Sequence, residues 1–371
     1  MSNTQSDRLA NPLADRPPDQ LADRLARPAD RTPMIALCMG VCLVLAFFAS
    51  IAIGAVSLSP GDVFDAVVSR FSSAPLDQTA ALNQAVVWDL RLARVLTAVI
   101  VGASLATCGA AMQGLFGNPL ADPGIVGVSS GASLGAIMVV VLQISTFGMW
   151  TLPVGAFLAG VGTTFLIYAL ARPGQEGSDN SKLLLVGIAV NAIGGAFAGY
   201  LTYLATADQL QSLTFWSMGS LSSAKWLTVA ISAPPTIIGI ALLCRWARPL
   251  DLLALGERQA RHLGVDVTLL RRKLIFVTAL LVAAAVSFNG TIGFVGLVVP
   301  HLFRLMIGPA HRLLIPFSAA GGALLVMLAD LAARTLDPPS EVPIGVIMGS
   351  LGGPFFLWMI YRSRRFGIAP T

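Results

Sequence analysis

Apolar positions run on for whole segments of this chain, without the regular polar interruption that a water-facing helix or strand needs. Met34 to Ile53 carries no charge, and further apolar runs end near Gly114, Leu142, Ala171, Tyr203, Leu243, Val286, Leu331 and Met359. A run of about 18 or more such residues can cross a bilayer as a helix, which satisfies its own backbone in hydrocarbon. The pattern predicts helices at roughly 34–56, 92–115, 123–142, 150–171, 183–205, 226–244, 274–289, 292–307, 313–335 and 343–361. The expected architecture is an all-α, polytopic membrane bundle of about ten spans.

Glycines recur at one-turn spacing in several spans: Gly127, Gly131 and Gly135; Gly195 and Gly199; Gly345 and Gly349. Small residues so spaced let helices approach closely, and plain packing is the first reading of each set. Two breaks are more informative. Phe116 to Gly124 holds two prolines and two glycines and must be a tight turn. The stretch 245–273 is the longest charged loop, with Leu252, Leu255, Gln259 and Leu263 on one face, as in short amphipathic helices. Such a loop is either a surface-lying element or a docking site for a soluble partner. Gln209 to Trp226 is apolar but too short to span, so it reads as a re-entrant or surface helix.

Composition agrees with a membrane protein: 55% of residues are hydrophobic and 12% charged. The net charge of +5 would raise nucleic acid as a partner in a soluble chain. Here 19 of the 24 basic residues fall on one side of the expected bundle, and only Arg70, Arg91, Arg94, Lys225 and Arg334 fall on the other. The positive-inside rule then places both termini in the cytoplasm of a multi-pass protein, and the basicity reflects topology. Residues 1–33 balance five Asp against five Arg among five prolines and read as a disordered cytoplasmic tail before a membrane domain at 34–365. The first apolar run is too long for the core of a cleavable signal. Cys38, Cys42, Cys108 and Cys244 lie in apolar segments and read as small buried hydrophobes, with no disulfide implied.

Catalytic chemistry finds no footing. A phosphate-cradling loop needs a Gly-Lys pair opening a helix, whereas Lys182, Lys225 and Lys273 follow Ser, Ala and Arg. His262, His301 and His311 form no His-x-x-x-His pair, so no metal site or intramembrane protease is expected. Arg91 and Arg94 share a helix face at the outer mouth of the second span, and Asp330 precedes Arg334 by one turn at the end of the ninth. Two readings fit these positions: snorkelling, with Asp330 merely pinning Arg334, or an external cationic patch for an acidic partner. An ion-coupled secondary transporter, the rival class, would want paired carboxylates or broken helices near mid-membrane.

Arg91-Leu92-Ala93-Arg94-Val95-Leu96, Gly109-Ala110-Ala111-Met112-Gln113, Asn118-Pro119-Leu120-Ala121-Asp122-Pro123-Gly124, Leu255-Gly256-Glu257, Gly293 to His301 and Glu341-Val342-Pro343 occur in that order. With these motifs the chain resembles the iron-siderophore, haem and cobalamin permeases of bacterial ABC importers, the FecCD-like family, over roughly residues 35–365. The resemblance implies a non-enzymatic subunit of the inner membrane, acting as a homodimer with the path along the dimer axis. It also implies two cytoplasmic ATPase subunits, which bind ATP and magnesium, and one periplasmic substrate-binding protein. No cofactor would bind this chain itself. Matched by motif, Arg91, Arg94 and Arg334 would receive carboxylates of the binding protein. Gly256, Glu257, Ala260, Arg261, Leu263 and Gly264 would engage the ATPases. Asn118, Leu120, Asn180 and Ser181 would form the cytoplasmic gate. The external stretch Asp208 to Leu221 resembles that of haem permeases, with a ferric siderophore or cobalamin as alternative cargo.

Overall fold

The computed structural model describes residues 18–54, 58–71, 77–171, 179–338 and 340–365. Among these residues fifteen α-helices and no strand occur. The first half contains α1 (Pro18–Ala52), α2 (Pro60–Ser69), α3 (Gln78–Ala85), α4 (Ala93–Phe116), α5 (Val128–Val141), α6 (Thr151–Ala171) and α7 (Asp179–Leu204). The second contains α8 (Ala207–Met218), α9 (Trp226–Arg245), α10 (Ala247–Leu253), α11 (Glu257–His262), α12 (Val267–Asn289), α13 (Val295–Ile307), α14 (His311–Ala333) and α15 (Ile344–Arg365). A π-helical stretch, Val86–Leu92, joins α3 to α4 without a break.

Among the described residues six helical stretches are long and apolar enough to cross a membrane: Arg31–Ala52, Gln78–Phe116, Gly148–Ala171, Ser181–Leu204, Trp226–Arg245 and His311–Ala333. Val128–Val141, Val295–Ile307 and Ile344–Trp358 are shorter apolar helices. Boundaries depart from expectation in several places. The second span, expected from residue 92, belongs to a helical stretch that runs from Gln78 through Val86–Leu92 into α4. Where a tail was expected to residue 33, α1 already begins at Pro18, and residues 1–17 lie outside the described residues. The expected seventh span starts early, at Val267, because the Asp266 side chain accepts from the Leu269 amide and caps the helix. Arg271, Arg272 and Lys273 therefore ride on α12, not in the loop before it. The segment expected outside forms a surface helix, α8, opened by a reciprocal cap between Thr206 and Gln209.

At the centre stands α4, packed on α14, α13, α12 and α9. Its apolar surface has no polar face, so it must be buried all round. Glycine makes that possible where backbones nearly touch. A Cβ on Gly102 would lie 2.1 Å from the Gly322 carbonyl oxygen, and one on Gly109 1.9 Å from that of Gly296. Some polar groups in this core find partners: the Ser104 and Thr236 hydroxyls are bonded at 2.9 Å. Gln113 Nε2 donates to the Gly296 and Leu297 carbonyls at 3.2 and 3.3 Å. Gly296 needs this donor because the residue four further on, Pro300, has no N–H to give it.

The expected glycine sets divide. Gly131 and Gly135 pack against Thr163, Ala159 and the Gly155 carbonyl of α6, and Gly345 packs on the Met218 carbonyl. Gly195, Gly199 and Gly349 have open space where a Cβ would sit. Spacing alone marks a shared helix face, not whether a neighbour covers it.

Candidate functional site

Three surfaces were expected to carry function, and the structure treats each differently. At the end of the bundle expected to lie outside, Arg91, Arg94 and Arg334 converge, but not as an open cationic patch. Arg91 is buried within the π-helical stretch, and its Nη1 donates to the carbonyls of Ile51 and Ala52 at 2.6 and 2.8 Å. Arg334 is also buried and donates through Nη2 to the Ser50 carbonyl at 2.6 Å. Those three carbonyls lie in the last turn of α1, where a helix runs out of its own N–H donors, and the two guanidinium groups cap it.

Asp330 ties the cluster together. Only 1% exposed, it accepts from Arg94 Nε at 2.8 Å and lies 3.4 Å from Arg334 Nε. The pinning of Arg334 by Asp330 is thus realised. Arg94 reaches further and makes a two-pronged pair with Glu341 at 2.7 and 3.0 Å. Glu341 is 35% exposed, so this pair forms the solvent-facing edge of the cluster. Glu341 was visible only as part of a motif; nothing in the sequence spacing of 247 residues could have joined it to Arg94.

At the opposite end, α10 and α11 form the expected amphipathic pair. Gly256 (φ +110°) and Gly264 (φ +86°) bracket α11 in backbone conformations that disfavour a side chain. Ala260 is fully buried against the bundle. Glu257 turns inward: its Oε1 accepts from Arg271 of α12, a side chain with no exposure. Arg261 sits 3.8 Å from the other Glu257 oxygen. Outward this element presents Leu255 and Leu263, 62% and 59% exposed, together with the exposed polar side chains of Arg258, Gln259, Arg261 and His262. Close by, Asp251 of α10 accepts from the His311 amide at 2.8 Å and contacts its Nδ1 at 2.7 Å. A side chain from α10 thereby caps α14. The His311 ring fills the space that Gly114 of α4 leaves open.

Asn118 and Leu120, expected at the gate, share one turn. Gly117 (φ +60°) ends α4, the Asn118 Oδ1 accepts from the Leu120 amide at 2.9 Å, and both side chains are exposed. Asp122 Oδ1 accepts from the Gly124 amide at 2.7 Å; burial pushes its carboxyl above the usual range, and that amide draws it partly back. Ser181 is exposed in the first turn of α7. Asn180 precedes it there, with its side chain outside the described residues. The turn and α7 adjoin further up, where a Cβ on Gly187 would lie 2.7 Å from the Ile125 carbonyl.

A cavity of about 490 Å³ opens where α5 and α13 begin, lined by Asp122, Ser129, Ser130, Thr291, Gly296 and Leu105 among others. These lining residues were not singled out from sequence. One signal was available: Gly124-Ile125-Val126-Gly127 and Gly293-Phe294-Val295-Gly296 repeat a Gly-x-Val-Gly pattern at the two helix starts.

The comparisons bear on this arrangement directly. The haemin transport system permease HmuU of Yersinia pestis is 46% identical over 286 residues, covering 75% of this chain and 84% of the relative. The vitamin B12 import permease BtuC of Vibrio cholerae is 41% identical over 300 residues, covering 80% of this chain and 89% of the relative. A metal-chelate type ABC transporter solved in an inward-facing conformation superposes with a TM-score of 0.77 at 33% identity, over 89% of this chain and 99% of that one. The FecCD transport family model matches residues 42–362, which takes in the arginine cluster, the turn and helices α10 and α11 alike, and the chain belongs to that family.

Proposed function

We propose that this chain is the permease subunit of an ATP-driven importer that carries haem across the bacterial inner membrane. It works as a homodimer of ten-span subunits with both termini in the cytoplasm. Two ATPases dock on the α10–α11 element, and a periplasmic binding protein docks on the arginine cluster. The observation that carries this reading is the pair of helices α4 and α14. One end of the pair holds Arg94 and Asp330, and the other holds the His311–Asp251 contact with α10. Between them the two backbones meet at Gly102 and Gly322 with no side chain to yield. A stiff strut thus runs from the outer docking face to the coupling helices.

Within this reading, Leu255 and Leu263 supply apolar contact to the ATPase, while Glu257 and Arg271 hold α11 at a fixed angle. Arg94 with Glu341 is the part of the outer cluster that a partner's carboxylate can reach; Arg91 and Arg334 fix its base. The turn at Asn118 and Leu120 and the start of α7 at Asn180 and Ser181 are the gate. The ion-coupled alternative is disfavoured because Asp330 is already held by two arginines. Haem is favoured over cobalamin by the higher identity to HmuU than to BtuC. The test is uptake into proteoliposomes containing this permease with its ATPase and binding protein. ATP-dependent accumulation of haem, and not of cobalamin or a ferric siderophore, is expected; accumulation of one of the others without haem overturns the cargo assignment.

A further inference from the structure

A cleft of about 300 Å³ opens between α6 and α12 and belongs to none of the surfaces above. Its walls are apolar, from Phe165, Ile275, Phe276 and Ala279, and its rim carries Arg272 and Lys273. Phe165 and Phe276 meet edge to face at 6.0 Å and remain 55% and 44% exposed, so the cleft lies open on an apolar outer face. Both rim cations are exposed, and among the described residues no carboxylate pairs with either. The basic run is therefore split in its duties. Arg271 points inward to Glu257, while the next two side chains face out.

Two aromatic groups mark the level of the rim. Tyr168 lines the cleft, and the Lys273 ammonium lies 5.9 Å from the ring centre of Trp246 at the junction of α9 and α10. Tyr and Trp favour the depth at which lipid headgroups meet hydrocarbon. From Arg272 to Ala279 the α12 axis advances roughly 10 Å, which takes the cleft from headgroup depth into the acyl region. A second apolar cleft, of about 340 Å³, is lined by Trp150, Phe157, Pro235 and Phe288, and it has no basic residue in its lining. The contrast is one of charge at similar apolarity.

We infer that the α6–α12 cleft is a binding site for an anionic phospholipid, with the phosphate on Arg272 and Lys273 and one acyl chain along Phe165 and Phe276. Basic pockets between spans on the cytoplasmic side recognise anionic headgroups. The side assignment rests on the topology proposed above. The site adjoins Arg271, so an occupied cleft braces the base on which α11 is held.

The test is native mass spectrometry of the purified permease with equimolar dioleoyl phosphatidylglycerol and dioleoyl phosphatidylcholine. Two surface cations correspond to a preference for the anionic lipid on the order of tenfold or more. The R272Q/K273Q variant, altered only at exposed positions, should bind the two lipids about equally. R272K should keep the preference, since a point charge serves a phosphate. Equal binding by the unaltered protein, or a preference that survives R272Q/K273Q, overturns the inference. So does displacement of the lipid by millimolar glycerol 3-phosphate, which would make the site one for a free phosphate. These measurements need no transport, so a failed uptake assay with the lipid preference intact counts against the import reading alone.

Discussion

Helices α4 and α7 are both apolar and long enough to span, yet 83% of the α4 stretch is buried inside the subunit against 11% of α7. On α7, Leu185, Ile188, Ile193, Phe197, Tyr200 and Tyr203 are all exposed. Apolarity decides that a segment enters the bilayer; it does not decide what the segment touches there. The difference lies in what complements the small and polar residues. Gly102 and Gly109 of α4 meet backbone, and its Ser104 and Gln113 find partners. Gly195 and Gly199 of α7 meet nothing within the subunit. An apolar face so open suits lipid, the transport path or a second copy.

The sharpest way to break this contrast is to place the same side chain on both helices. Gly109→Leu drives a side chain into the Gly296 backbone, beyond the ~1–3 kcal/mol usual for overpacking, and should leave no folded permease. Gly199→Leu should leave a single sharp size-exclusion peak and an unchanged melting temperature for the isolated subunit. Equal tolerance of the two would show that α4 is not the packed centre described above. Next in size is Asp330→Ala at the outer end of the α14 partner of α4. It leaves Arg94 and Arg334 without their shared buried carboxylate, a loss of about 3–5 kcal/mol readable in thermal unfolding. An effect below about 1 kcal/mol would mean that solvent reaches the cluster.

Gln113→Leu should cost ~1–3 kcal/mol, because the Gly296 carbonyl then stays buried with no donor. Gln113→Glu should fare worse, since a carboxylate repels that carbonyl. The smallest effect concerns the rim. Glu341→Gln loosens an exposed pair worth about 0.2–1 kcal/mol, so stability should barely change. Affinity for the binding protein should rise as Arg94 is freed for the partner's carboxylate. Surface plasmon resonance at several salt concentrations checks this, and weaker binding would show that Glu341 orders Arg94 for docking instead of competing for it.

The helical class and the six long apolar stretches were legible in the sequence, because bilayer thickness acts on contiguous residues. Caps were partly legible: Asp266 before a helical run is a local signal, though it was read as loop. What escaped was every relation set by tertiary distance. The acceptors of Arg91 and Arg334 are carbonyls at 50–52, which no side-chain pattern advertises. The bond from Arg271 on the next helix to Glu257 is a further relation that no local pattern shows. Residues 195 and 199 share the glycine spacing of residues 131 and 135, but only the second pair has a helix across from it. Pro300 stands in plain view, and so does Gln113, but only the fold brings the amide to the carbonyl that the proline leaves unserved.

The bond from Arg334 to the Ser50 carbonyl spans 284 positions of chain, and this has a consequence for how the molecule is made. A ribosome delivers α1 to the membrane long before it reaches Arg334. Through that interval the last carbonyls of α1 depend on water at the bilayer edge, and on Arg91 once it emerges. A nascent chain halted before residue 334 therefore carries an unsealed α1, however many later spans have already inserted. Helix α1 is made early and sealed late.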